Sequence, residues 1–145
     1  MHNYKRVLIA LELIPESDQL LIQKAQGLVV PGASQPYLAH AVEHMSNYGA
    51  AYGVSAGVDV EEALLDEAKK SMAKVATKYN IPEDHQIVKV GPAKFLILEE
   101  AEKHHVDLIV VGSHGRHGVR LLLGSTSNAI LHGAKCDVLA VRVKE

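Results

Sequence analysis

The sequence has little that would bind nucleic acid. Its 145 residues include 15 Lys and Arg against 17 Asp and Glu, for a net charge of -2 at pH 7. Such a chain lacks the excess positive charge that neutralises a phosphodiester backbone. It has one Phe and no Trp, so it offers few rings on which unpaired bases could stack. We therefore expect no nucleic-acid partner.

The sequence also lacks a long hydrophobic run and a second cysteine. In the N-terminal stretch MHNYKRVLIALEL, a short apolar segment follows Lys5 and Arg6, and Glu12 and Pro15 interrupt it. The segment is too short for a signal-peptide core or a membrane span. Cys136 is the only cysteine and cannot form an internal disulfide, as is usual in a reducing compartment. We expect a cytoplasmic protein with no membrane partner.

Short apolar segments alternate with segments of helical periodicity along the chain. Strands are predicted at 7–12, 36–42, 85–90, 106–112 and 136–143. Helices are predicted from Pro15, from Asp59 to Tyr79, from Pro92 to about His104 and from Ser125 to His132. The start at Asp59 rests on the pattern DVEE, which is typical of a capping box. The segment 46–59 has no clear period and is either a loop without function or a flap over the sheet.

Five strands linked by helices predict a doubly wound α/β fold, with a parallel sheet and helices on both faces. We expect one domain, residues 1–145. A reversal of winding after the third strand would give the strand order 3-2-1-4-5. Ligands of such sheets bind beyond the carboxyl ends of the strands, at the reversal. We therefore expect a ligand site at the carboxyl ends of strands 1 and 4.

Strand 4 is followed by GSHGRHGVRLLLGSTS, which is rich in small residues. Gly112 and Gly115 leave backbone N–H groups accessible to an oxyanion. The helix entered at Gly124 and Ser125 adds N–H groups that have no partner inside the helix. Further hydroxyl and cationic contacts are expected from Ser125, Thr126, Ser127, Arg116, His117 and Arg120. This pattern favours a phosphate site; the alternative is that the glycines only form a turn and Ser125 only caps a helix.

Three segments resemble the universal stress protein A family, in the family's order: RVLIALE, GPAKFLILEEAEKHHVDLIVVG and VDLIVVGSHGRHGVRLLLGSTSNAILHGAKCDVLAVR. Gly112, Gly115, Gly124 and Ser125 fill the family pattern of G-x-x-G followed by G-[ST]. The resemblance implies a doubly wound α/β fold and a stress-response or signalling protein. It also implies an adenine nucleotide at strands 1 and 4, either AMP or ATP with or without Mg²⁺.

The resemblance assigns a role to individual residues. The nucleoside would be bordered by the ends of strands 1, 2 and 4, at Ala10, Leu11, Glu12, Ala41 and Val111. The ribose and phosphates would lie along the next segment, at Gly112, His114, Gly115, Gly124, Ser125 and Thr126. Two departures from the family pattern make AMP at least as suitable as ATP. Eight residues rather than nine separate the last two glycines, and Glu12 replaces the usual Asp.

The resemblance also implies a homodimer that pairs through strand 5, between Val138 and Val143. This strand is expected at an edge of the sheet, where it can pair with another chain. We interpret Val141 and Val143 as apolar side chains that another chain could cover.

Other functions stay open at this stage. A slow ATP hydrolase is one alternative, with His114 orienting a water, although only Glu12 is an acid near the proposed phosphates. A nucleotide-independent dimeric scaffold is another. The histidines lack the supporting ligands of a metal site. His40 is interpreted as a hydrogen-bonded core or pocket-wall residue, and Cys136 as a small buried one.

Overall fold

The structure, a computed structural model, describes residues 4–43, 54–114 and 125–143; the side chains of 54–59 and of His114 lie outside this description. Within these ranges five strands alternate with helices. The strands are β1 (Val7–Ala10), β2 (Tyr37–Val42), β3 (Gln86–Val90), β4 (Leu108–His114) and β5 (Asp137–Val143). The α-helices are α1 (Pro15–Gln26), α2 (Val54–Tyr79), α3 (Ala93–Lys103) and α4 (Ser125–Gly133).

The five strands form one parallel sheet in the order β3-β2-β1-β4-β5. This confirms the predicted α/β fold and strand order. The chain moves outward from β1 to β3 and then crosses back to place β4 on the other side of β1. The reversal of winding therefore lies between β1 and β4, which are neighbours in the sheet.

The core consists of two apolar layers, one on each face of the sheet. Val7 and Ile9 of β1 pack with α1 and α2, whereas Leu8 packs on the opposite face with α3 and α4. All three side chains are buried. Strands that are covered on both faces need apolar residues at successive positions, which explains the continuous run VLIA. Both layers support the strand ends that border the candidate site.

Several predicted element boundaries were wrong. The first strand, predicted to end at Glu12, ends at Ala10, and the fourth, predicted to begin at Val106, begins at Leu108. The helix predicted to begin at Asp59 begins at Val54, so Asp59 does not cap it. A capping-box pattern allows a start without requiring one, and residues 54–58 contain no proline to stop the helix from extending upstream. The strand predicted to end at Gly112 continues to His114, because β5 supplies pairing partners as far as Val143.

Candidate functional site

The candidate site, called the crevice here, is the place where pairing between β1 and β4 stops because the two strands end at different heights. Their pairing ends at Ile9 opposite Val110, and β1 ends at Ala10. In contrast, β4 stays paired with β5 as far as His114 opposite Val143. Residues 111–114 therefore have β5 on one side and the crevice on the other. Extended backbone at the reversal of winding is where doubly wound sheets bind ligands.

The turn after β1 forms one wall of this crevice and is held by neighbouring elements. The N–H of Leu11 donates to the carbonyl of Ala39 at 2.8 Å. The carbonyl of Leu11 accepts from Nδ1 of His40, also at 2.8 Å. Because a carbonyl only accepts, Nδ1 of His40 carries the proton. His40 is half-buried, and this bond confirms that it is a hydrogen-bonded residue, as predicted.

Next in this turn, Glu12 approaches β4 at Gly112. A β-carbon built on Gly112 would lie 3.1 Å from Oε1 of Glu12 and 3.3 Å from Cγ2 of Val143. Both separations are shorter than ordinary van der Waals contact, so the space beside Gly112 admits no side chain without displacement of a neighbour. The glycine therefore lets an exposed carboxylate and an extended strand approach each other across the crevice.

The start of α4 forms the other wall. Oγ of Ser127 donates a hydrogen bond of 2.8 Å to the carbonyl of Gly112. This bond ties the first turn of the helix to β4, while the side chains of Ser125 and Thr126 are exposed. The first N–H groups of a helix carry partial positive charge and attract anions. The donor proton of Ser127 is thus used within the protein, while the hydroxyls of Ser125 and Thr126 face solvent.

The remaining predicted site residues fall into two groups. Leu11 and Val111 are only 4% and 3% exposed, so their side chains belong to the core. Ala10 and Ala41 are half-buried. Gly115, Arg116 and Gly124 lie outside the described residues, as do His117 and Arg120, and only the backbone of His114 is described.

Asp18 was not predicted as a site residue, yet its side chain is hydrogen-bonded to the turn that carries Glu12. It is 2% exposed, and its Oδ1 accepts from the N–H of Glu12 at 3.2 Å. Burial raises the pKa of this carboxyl to about 6, although the N–H groups of Glu12 and Leu13 act in the opposite direction. An acid in the first turn of a helix ordinarily indicates an exposed partner of the helix dipole. Its burial depends on how α1 packs, which the local sequence does not reveal.

Two predictions about the end of the chain need correction. Val141 and Val143 are buried in the protein's own core and do not offer apolar surface to another chain. They face α1 because alternate residues of a strand point to opposite faces of the sheet. Cys136 is only half-buried. Partial burial raises the pKa of its thiol, as does the charge of Asp137, so the reactive thiolate is disfavoured.

Residues 4–43, 54–114 and 125–143 hold no group of three or more His, Cys, Asp or Glu placed to bind a metal ion. Over the same ranges, no helix combines the length and the apolar character needed to cross a membrane.

The profile of the Universal stress protein family matches residues 3–142. The chain is 68% identical over 144 residues to Universal stress protein A homolog 2 of Coxiella burnetii, with 99% of each chain covered.

Solved structures share the fold at lower identity. The hypothetical protein MJ0577 matches with a TM-score of 0.77 and 23% identity, over 98% of both chains. A universal stress protein solved in complex with cAMP matches with a TM-score of 0.55 and 22% identity, over 95% of this chain and 96% of that one. At such identities the likeness shows the fold alone.

Proposed function

The chain belongs to the universal stress protein family, and we propose that it binds one adenine nucleotide, AMP or ATP, in the crevice between β1 and β4. The observation that carries the proposal is the juxtaposition of Gly112 and Glu12 where β4 continues beyond β1. The cAMP complex of a protein with the same fold supports a nucleotide as the class of ligand.

The charges at the crevice suggest the direction in which the nucleotide lies. The exposed carboxylate of Glu12 would repel phosphates but can accept hydrogen bonds from ribose hydroxyls or from the adenine amino group. The start of α4 carries positive partial charge and the exposed hydroxyls of Ser125 and Thr126. We therefore place the nucleoside against the Glu12 turn and the phosphates at α4. In this arrangement the protein binds and orients the nucleotide, and no chemical step is required of it.

Isothermal titration calorimetry tests this proposal. AMP is titrated alone, and ATP with and without Mg²⁺. At least one of the two nucleotides should bind saturably, with one nucleotide per chain. GMP should bind more weakly if the base is recognised. A Kd of 1 mM corresponds to a binding free energy of about -4 kcal/mol. Absence of saturable binding at about 1 mM nucleotide would contradict the proposal and favour a nucleotide-independent scaffold. Steady release of phosphate from ATP would instead identify a slow hydrolase.

We further propose that the protein is a cytoplasmic homodimer paired through β5, and that the bound nucleotide acts in a stress response. β5 lies at an edge of the sheet, where unpaired backbone groups can pair with a second strand. Because Val141 and Val143 are buried, the pairing would use the backbone and the exposed residues Ala140 and Arg142. The half-buried single cysteine fits a reducing compartment.

The dimer makes a direct prediction of mass. Light scattering should give a particle of twice 15.7 kDa, and the mass should not change on moderate dilution. Replacement of Ala140 with proline, which places a rigid ring on the exposed edge, should shift the mass toward the monomer. A wild-type protein that stays monomeric at high concentration would contradict the pairing.

A further inference from the structure

Asp18 is a buried carboxylate with an unusual set of partners. One oxygen, Oδ1, accepts from the N–H of Glu12. The other, Oδ2, is buried and has no hydrogen-bond partner among the described residues. A buried polar atom without a partner lowers the stability of the folded state. Stability alone therefore gives no reason for an aspartate at this position, and its effect on the neighbouring turn has to be considered.

Asp18 supports the turn that carries Glu12. Leu13 in this turn has φ of 61°, a left-handed conformation that is uncommon for residues other than glycine and that needs support from its surroundings. The hydrogen bond from the Glu12 N–H to Asp18 supplies part of that support. Glu12 in turn projects its carboxylate toward Gly112. A change at Asp18 is thus transmitted to the crevice through a single turn of chain.

The charge of Asp18 determines how strongly it holds the turn. An ionised carboxylate accepts a backbone hydrogen bond more strongly than a neutral acid does. Besides burial, the charges that act on Asp18 among the described residues are those of Glu12 in the turn and His40 on β2. Glu12 raises the pKa of Asp18 and His40 lowers it. With a pKa of about 6, both forms of Asp18 are populated in mildly acidic solution.

We propose that Asp18 is a positioning residue of the nucleotide site, whose ionised form holds the Glu12 turn and thereby strengthens nucleotide binding. This inference rests on the proposed function. It implies that acidification weakens binding through a residue that does not touch the nucleotide. By linkage, bound nucleotide favours the ionised form of Asp18 to the same extent.

The stability of the nucleotide-free protein should fall as pH rises, whereas nucleotide affinity should rise. The folded-state pKa of Asp18 is raised above the value of 3.8 for the unfolded chain. Between pH 4 and 6 the folded protein therefore binds more protons than the unfolded one, and its stability falls as pH rises. Nucleotide affinity, in contrast, should increase over this interval. A residue with a purely structural role would not give these opposite slopes.

The test compares the wild type with three variants, using AMP binding and thermal unfolding between pH 5 and 8. Asp18→Asn keeps an acceptor oxygen for the Glu12 N–H but cannot ionise, and Asp18→Ala removes the acceptor. Glu16→Gln, an exposed acid in the same helical turn, is the matched control. The phosphate of AMP titrates in the same range, so affinities are compared as ratios of wild type to variant at each pH.

The wild-type affinity should fall about fivefold relative to Asp18→Asn between pH 7.5 and 5, the effect expected over this interval when nucleotide binding lowers the pKa of Asp18 by about one unit. Asp18→Ala should bind at least about tenfold more weakly than the wild type at pH 7.5, and Glu16→Gln should match the wild type.

A constant wild-type to Asp18→Asn ratio at all pH values would overturn the inference. So would unchanged affinity in an Asp18→Ala protein that still unfolds cooperatively. These two results would leave the proposed function intact, whereas failure of the wild type to bind would overturn both.

Discussion

Replacement of Gly112 with valine is expected to weaken nucleotide binding by about 100-fold or more, equivalent to at least about 2.7 kcal/mol. Even a methyl group at this position would lie 3.1 Å from Oε1 of Glu12. The two further methyl groups of valine must displace the Glu12 carboxylate or crowd the core side chains of Val143 and Leu21. Displacement of Glu12 removes a polar contact from the proposed nucleoside side. Calorimetry with AMP measures the effect.

Gly27→Val is a matched control for this experiment. Gly27 is exposed at the end of α1, and a β-carbon there would come no closer than 3.6 Å to another atom. Its φ of -74° is accessible to any residue. Gly112→Ala should bind more weakly than the wild type but better than Gly112→Val, because a smaller displacement of Glu12 accommodates it. Full affinity in a folded Gly112→Val protein would remove the crevice from consideration as the site.

Ser127→Ala is expected to lower the free energy of unfolding by about 1–2 kcal/mol and to weaken nucleotide binding about tenfold. The change removes the donor to the Gly112 carbonyl, and an unpaired acceptor in a partly buried position has a cost of this order. The higher helix propensity of alanine offsets only a few tenths of a kcal/mol. Loss of the bond also releases the first turn of α4 from β4, so the N–H groups proposed to bind phosphate lose their fixed position.

Urea denaturation and calorimetry together measure these two effects. Asn128→Ala, an exposed change at the next position of the same helix, is the control and should alter neither stability nor affinity appreciably. If Ser127→Ala bound AMP as tightly as the wild type, the link between α4 and Gly112 would have no part in nucleotide binding.

Much of the fold could be predicted because the strands are buried on both faces. Segments such as VLIA and LIVV are apolar at successive positions, and turn or capping residues separate them from the helices. The ends of elements were harder to predict. Ser113 and His114 do not resemble a strand core, and they extend β4 only because Arg142 and Val143 pair with them. That information is held by a distant part of the chain.

The candidate site was predictable only where backbone chemistry shapes it. Gly112 could be singled out because glycine after an apolar strand indicates close approach. The role of Asp18 could not, because its burial beneath the turn depends on the packing of α1 against the sheet. The burial of Val141 and Val143 likewise depends on which face of β5 meets α1. Side-chain direction at an edge strand is thus a tertiary property.

The most direct test of the nucleotide site is a titration of AMP into isotope-labelled protein, followed by backbone amide NMR. We predict that the largest shift changes occur at the end of β1 and across the crevice, at Leu11, Glu12, Gly112 and Ser125. Residues at the opposite end of the sheet, such as His105 and Cys136, should be unaffected. Changes confined to that opposite end, or none at saturating AMP, would contradict a nucleotide site between β1 and β4.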